Sequence, residues 1–124
     1  MGSEGRMTSA GFSKLERRWA AERVARAERS ARLRRLLIEL GLPVLQSYGA
    51  RRVWLFGSVA AGTAGTASDI DLLADPVATE DYWALRRDLE AAIGHPVDLY
   101  TQDDDADLVR KIIERGDRID EVQP

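Results

Sequence analysis

VWLFGSVAAGTAGTASDIDLL, residues 53–73, is the stretch that decides the fold. Its first four residues are β-branched, aromatic or aliphatic and predict a buried strand that ends at Gly57 and Ser58. After ten intervening residues, Asp69 opens a second predicted strand. Glycine lets the backbone approach a ligand closely, and a short helix after it would turn free N–H groups toward an anion. The turn between the two strands therefore suits a phosphate group.

Two acidic side chains share one face of the second predicted strand. Alternation along a strand sends Asp69 and Asp71 to one side and Ile70 and Leu72 to the other. At the usual strand rise, same-face residues lie about 6.5 to 7 Å apart, close enough to converge on one ion or on a pair of ions. Hard oxygen ligands of this kind favour Mg²⁺.

A third carboxylate comes from another short predicted strand, residues 96–100. On this strand Asp98 lies on the same side as Tyr100, which could stack on a nucleobase, although a partly buried strand residue is the favoured interpretation. Three crowded acids are costly unless cations neutralise them, so Asp69, Asp71 and Asp98 together predict a metal site. Asp98 could also accept the proton of an attacking hydroxyl.

These motifs resemble those of the minimal nucleotidyltransferases of the polymerase β superfamily. The resemblance spans about Leu33 to the C-terminus and rests on the segments LFGS (55–58), AAG (60–62), SDIDLL (68–73) and VDL (97–99). It implies a polymerase-β-like fold of the α/β class, more strictly α+β. In that fold a small mixed β-sheet has helices packed on one face, and this chain adds an extended N-terminal helix.

The resemblance also assigns roles to individual residues. Gly57 and Ser58 would bind the triphosphate of ATP, Asp69 and Asp71 would hold Mg²⁺, and Asp98 would complete the metal site and assist the nucleophile. The family often carries arginine where this chain has Val59 and, more typically, Ala61. A lost cation beside the phosphates would weaken their neutralisation.

Small members of the family resemble antitoxins of two-gene pairs. The implied function is Mg²⁺-dependent transfer of AMP from ATP to a tyrosine of a partner HEPN ribonuclease toxin. Two alternatives remain. One is a nucleotidyltransferase toxin that modifies tRNA, and the other is a catalytically decayed antitoxin that neutralises its partner by contact alone.

The basic residues concentrate near the N-terminus of this mildly acidic chain of 124 residues and net charge −3. Residues 12–40 lack proline and glycine and predict a helix that Gly41 and Pro43 end. We expect residues 12–32 to form a basic projecting helix, with residues 1–11 disordered and 33–124 forming the nucleotidyltransferase domain. The projecting helix could be solvated, contact a partner, form a homo-oligomer or, less favourably, touch nucleic-acid phosphates.

The remaining segments carry structural predictions. A helix should begin at Thr79 or Glu80 and close at Gly94, and another should cover 107–115 with Leu108, Ile112 and Ile113 facing inward. His95 suits a turn before Pro96, and the acids at 103–105 suit a helix cap rather than a metal site. The chain has no cysteine, membrane-spanning apolar run or signal-peptide pattern, so we expect a cytoplasmic protein without membrane contact.

Overall fold

The computed structural model describes the backbone of residues 2–121 and the side chains of residues 13–121. A long N-terminal helix precedes a small domain in which strands and helices alternate. The elements are α1 (Gly2–Leu36), a π-helical turn (Leu37–Gly41), α2 (Leu42–Ser47), β1 (Arg52–Phe56), α3 (Gly57–Ala61), β2 (Ile70–Asp75), a 3₁₀ turn (Thr79–Asp81), α4 (Tyr82–Ile93), β3 (Val97–Thr101), α5 (Ala106–Arg115) and β4 (Asp117–Arg118).

The four strands form one mixed sheet in the order β3-β2-β1-β4. β1 runs antiparallel to β2 and to the short β4, whereas β2 and β3 are parallel and are joined through α4. A parallel pair needs such a crossover, because a tight turn cannot return the chain to the end where the first strand began. The expected α+β fold with a small mixed sheet is confirmed.

One face of the sheet carries the main core. Alternate residues of the three longer strands point to this face and form one buried cluster with side chains of α1, α2 and α4. Burial of this apolar surface is the main favourable contribution to folding. Among the fully buried members are Leu33, Leu37, Leu45, Leu55, Leu72, Leu85 and Leu89.

α5 lies on the opposite face of the sheet. Its Ile112 is buried against Trp54 and Leu73. The expected inward positions of Leu108 and Ile113 are wrong, because these side chains are 37% and 42% exposed and only a narrow stripe of α5 reaches the sheet. Helices were expected on one face of the sheet only. The structure adds a single helix, α5, on the other face.

The predicted helix end at Gly41 and Pro43 is wrong, since the chain stays helical through both residues to Ser47. A π-helical turn, in which the Leu42 N–H bonds to the Leu37 carbonyl, joins α1 to α2. Pro43 then lies in the first turn of α2, where its missing N–H costs little. A Cβ on Gly41 would lie 3.0 Å from a side-chain carbon of α4, so glycine here permits close helix packing.

The π-helical turn also changes which side chains of this region face the core. A regular helix would place Leu33, Leu37 and Leu40 on one face. Leu33 and Leu37 are buried, but Leu40 is 45% exposed. The wider turn rotates the following residues away from the direction that a regular α-helix would give them. For this reason, a constant helical period of 3.6 residues wrongly places Leu40 in the core.

The N-terminal part of α1 extends past the sheet. From Ser13 to Glu28 the side chains are exposed except for the half-buried Ala20, and burial begins near Ser30. The proposed division of the chain into 1–11, 12–32 and 33–124 stays a prediction, and Met1 and residues 122–124 lie outside the described residues. In the part of the chain described, no helix is both long enough and apolar enough to cross a membrane.

Candidate active site

The parallel pairing of β2 with β3 brings two of the expected acids side by side. Asp71 and Asp98 are direct partners in the register, and both point away from the main core. Asp69 was expected inside the strand, but β2 begins at Ile70 and leaves Asp69 exposed just before it. All three carboxylates nevertheless belong to the same end of two adjacent strands.

The electrostatics of Asp71 show how close these acids are. Burial is the largest cause that raises its pKa, the negative charges of Asp98 and Asp69 act in the same direction, and together they raise the pKa of Asp71 to about 6. A carboxylate that is partly removed from water beside two like charges lacks a positive counter-charge. A cation at this end of the sheet would supply it.

Gly57 lies directly against the Asp71 carboxylate. Its φ is +72°, in the left-handed region, and Phe56 before it is the register partner of Asp71. A Cβ added to Gly57 would overlap Oδ2 of Asp71 and lie 2.9 Å from its Cγ. Glycine is therefore required here both by the backbone conformation and by the space that the carboxylate occupies.

Ser58 follows as the second residue of α3 and is half-buried. Its carbonyl accepts a hydrogen bond of 2.9 Å from the Thr63 N–H, which closes the loop after α3. The helix starts from an extended Phe56 and, within residues 13–121, receives no side-chain hydrogen bond at its N-terminus. α3 therefore begins without a side-chain cap, directly after Phe56, the register partner of Asp71.

Tyr100 contributes a contact that the sequence did not predict. Its hydroxyl donates a hydrogen bond of 3.2 Å to Oδ2 of Asp98, and its ring meets Phe56 edge-on at 5.3 Å between centroids. Burial and the Asp98 charge raise the pKa of Tyr100 above its usual value. The tyrosine therefore orients Asp98, a role that its position two residues along the same strand face makes possible.

His95 and the acidic run at 103–105 have structural roles, as expected. The ring Nε2–H of His95 donates to the Ser68 carbonyl at 2.7 Å and so holds the segment just before Asp69. Asp105 caps α5 by accepting the Leu108 N–H at 3.1 Å. His95 therefore stabilises the turn before Pro96, and Asp105 is a helix cap.

The donor chemistry of the site fits Mg²⁺. Among residues 13–121, no three acidic or histidine side chains are already arranged as a ligand cluster. The candidates at this site are carboxylate oxygens, which Mg²⁺ prefers and usually supplements with water and substrate oxygens. The like-charge crowding that raises the pKa of Asp71 is the repulsion that a divalent ion relieves. Asp69, Asp71 and Asp98 are the residues that would hold it.

A cleft of about 460 Å³ opens next to Gly57, between α3 and α5. Its walls are mostly apolar, with Ala60 and Ala61 on one side and Leu108 on the other. Two cations of α5, Lys111 and Arg115, also line it. The sequence predicted none of this, because neither local spacing nor composition shows that α5 faces α3.

Comparisons with known proteins agree with this geometry. Residues 43–123 match the family model described as polymerase beta, nucleotidyltransferase. No curated protein matches the chain. Among solved structures, the chain is similar to a protein assigned as a minimal nucleotidyltransferase, with 30% identity, a TM-score of 0.54 and coverage of 69% of this chain and 87% of that one.

Two toxin–antitoxin crystal structures share the fold. One, with AMP-PNP, has 24% identity and a TM-score of 0.54, and the other, a mutant of the MntA–HpeT pair, has 21% identity and a TM-score of 0.55. Each alignment covers 63% of this chain and 68% of the other. At this identity they show likeness of fold alone. Because the family model spans more than half of the sequence, the chain belongs to the polymerase β nucleotidyltransferase family.

Proposed function

We propose that this protein transfers AMP from ATP to an acceptor hydroxyl, and that the acceptor is a tyrosine of a partner HEPN ribonuclease toxin. The observation that carries the proposal is the register pairing of Asp71 with Asp98 beside Gly57. That arrangement puts a metal-binding pair of acids next to a turn that a phosphate can approach. Like charges directly opposite each other destabilise a sheet, so stability of the sheet does not account for the pairing of Asp71 with Asp98.

Each residue has a distinct part in the proposed reaction. The backbone at Gly57 and Ser58 binds the β- and γ-phosphates, so that the α-phosphate lies at the carboxylates. Asp98, oriented by the Tyr100 hydroxyl, accepts the proton of the attacking hydroxyl. The hydroxyl oxygen forms a bond to the α-phosphorus, the bond from the α-phosphorus to the oxygen that bridges to the β-phosphate breaks, and pyrophosphate leaves. Asp69, Asp71 and Asp98 would hold Mg²⁺, which would neutralise negative charge on the phosphates. Positioning and electrostatics account for most of the rate in such chemistry.

The toxin–antitoxin structures support the choice of reaction and partner. One holds an ATP analogue, and the other carries glutamate in place of two aspartates that are two residues apart, the spacing of Asp69 and Asp71. A partner also suits α1, whose exposed part is rich in arginine and carries Trp19 with 47% of its surface exposed. An aromatic and arginine-rich surface is typical of protein interfaces.

The test is a transfer assay with the full chain. We expect labelled ATP and Mg²⁺ to label the helical protein encoded by the neighbouring gene, with loss of the label for Asp71→Asn or Asp98→Asn. Asp107→Asn is the matched control, because this carboxylate has 81% of its side chain exposed on α5 and should leave transfer unchanged. Size-exclusion chromatography of each variant with the partner separates loss of chemistry from loss of binding.

Two other results would contradict the proposed transfer of AMP to a partner toxin. Label on tRNA instead of protein favours the tRNA-modifying alternative, which the exposed arginines of α1 would serve. A partner that binds wild type and Asp71→Asn equally, with no label in either case, makes the protein a non-catalytic antitoxin. The absence of any charged residue in α3, GSVAA, is the observation that favours this second alternative.

A further inference from the structure

The short helix that follows the glycine turn offers no positive charge to a triphosphate. α3 has the sequence GSVAA, in which Val59 is buried and Ala61 is exposed. A nucleoside triphosphate carries several negative charges, and bringing it to a site that already contains three carboxylates is unfavourable without cations. Metal ions offset part of this charge. Cations on another element of the chain can neutralise the rest.

α5 provides two cations on the other side of the same cleft. Lys111 and Arg115 are four residues apart, so both lie on one face of the helix, and both line the cleft with Gly57 and Ala61. No ion pair within residues 13–121 includes either of them. Arg110 on the neighbouring face differs, since it pairs with two acids of its own helix.

Within this mostly apolar cleft, the two cations of α5 are the charged groups available to a polyphosphate. The cleft's one acidic lining residue, Asp117, is paired with Arg34 at 2.9 Å, so it does not compete for the two cations of α5. The methyl side chains of Ala60 and Ala61 leave room for long side chains to reach across from α5. An arginine at position 61 would instead occupy part of this space.

The end of α5 that carries these cations is held against the sheet. Ile112, between them, is buried on Trp54. After the helix, a Cβ on Gly116 would lie 2.7 Å from the Ile112 carbonyl and 3.2 Å from the Leu55 carbonyl, so the chain turns tightly into β4 at this point. Lys111 and Arg115 therefore project from a fixed backbone rather than from a free helix end.

We propose that Lys111 and Arg115 bind the triphosphate of the nucleotide and supply the positive charge that α3 lacks. The proposal rests on the proposed function, because it assumes that the nucleotide enters beside Gly57. In this arrangement the positive charge comes from α5 and not from α3, and the small side chain of Ala61 leaves space for it. Catalysis is then retained without an arginine on α3.

The test is equilibrium binding of ATP, adenosine and inorganic tripolyphosphate to the full chain. Lys111→Gln and Arg115→Gln keep most of the side-chain length and remove the charge. We expect each to weaken ATP and tripolyphosphate binding about 10-fold, and the double variant about 100-fold, while adenosine binding stays unchanged. Arg110→Gln, on the same helix but facing away from the cleft, is the control and should bind all three ligands like wild type. Thermal unfolding confirms that each variant is folded.

A rescue variant makes the test specific to charge. Ala61→Arg in the double variant should recover about 10-fold in ATP binding, because it restores a cation on the opposite wall. Equal ATP binding by wild type and the double variant would overturn the proposal and leave the proposed function standing. Equal loss of ATP and adenosine would also overturn it, since the cleft would then hold the base. If wild type binds no ATP, the proposed function and this assignment fall together.

Discussion

Ser30 and Ala64 are joined by a hydrogen bond of 2.9 Å, in which the buried Ser30 hydroxyl accepts the Ala64 N–H. The same hydroxyl donates to the Arg26 carbonyl at 2.8 Å, and Arg29 donates to the Ala64 carbonyl at 2.7 Å. Both backbone groups of Ala64 are thus satisfied by α1. The long helix is thereby tied to the loop between α3 and β2, which leads to Asp69.

Ser30→Ala should destabilise the fold by about 1 to 3 kcal/mol, because it leaves the buried Ala64 N–H without an acceptor. Urea unfolding followed by circular dichroism measures the change. Ser47→Ala is the control, since Ser47 is exposed and bonds only within its own helix, and it should change stability by less than about 0.5 kcal/mol. Equal midpoints for the two variants would show that the bond from Ser30 adds nothing.

Gly57→Ala should abolish transfer and destabilise the fold more than Gly62→Ala. Both glycines have positive φ, +72° and +79°, so both substitutions incur the backbone strain of about 1 kcal/mol. Only at Gly57 would the new Cβ overlap the Asp71 carboxylate, whereas at Gly62 it meets nothing within 4 Å. The difference in unfolding free energy between the two variants measures the steric effect. Comparable losses would contradict the close approach of Gly57 to Asp71.

Mg²⁺ should stabilise the wild-type fold and not the Asp71→Asn variant. A ligand that binds only the folded state adds about 1.4 kcal/mol when its concentration is about ten times its dissociation constant. Without divalent ions the variant should be at least as stable as wild type. The substitution replaces a carboxylate that is crowded by two like charges with a neutral amide. Differential scanning calorimetry with MgCl₂ or EDTA tests both parts. If MgCl₂ raises the unfolding temperature of the variant as much as that of wild type, Asp71 does not bind the metal.

Asp120 should make the stability depend on pH in the acid range. Burial alone would raise its pKa, but hydrogen bonds from Arg118, at 2.6 and 2.9 Å, and from the Val53 N–H, at 2.8 Å, outweigh burial and lower it. A lowered pKa in the folded state stabilises the fold above the unfolded value of about 3.9, and this contribution is lost as the pH falls further.

Asp120→Asn should therefore cost about 1 to 3 kcal/mol at pH 7, with the difference from wild type shrinking below about pH 4. Urea unfolding across this pH range is the measurement. Glu121→Gln serves as the control, because that side chain is 68% exposed and contacts the same Arg118 at 3.5 Å. Its effect should stay within about 0.5 kcal/mol at every pH. A constant difference for Asp120→Asn at all pH values would contradict the lowered pKa.

Local patterns predicted much of the framework correctly. The strand around Leu55, the helix that ends at Gly94 with φ +72°, and the cap at Asp105 follow from neighbouring residues alone. The predictions failed where distant residues decide the outcome. Gly41 continues a helix because α4 packs against it, and the two-residue strand β4 exists because β1 offers an open edge.

The candidate site divides in the same way. Asp69, Asp71 and Asp98 could be chosen from the sequence, because acids at strand ends beside a Gly-Ser turn are a local pattern. Only the assembled sheet makes Asp71 and Asp98 register partners. Only the position of α5 brings Lys111 and Arg115 to the cleft that Ala61 also lines. The sequence by itself determined the strands, the turn and the acids, since these depend on spacing along the chain. Only the tertiary structure decided which charges meet, because charges far apart in sequence interact only once the packed core has brought their elements together.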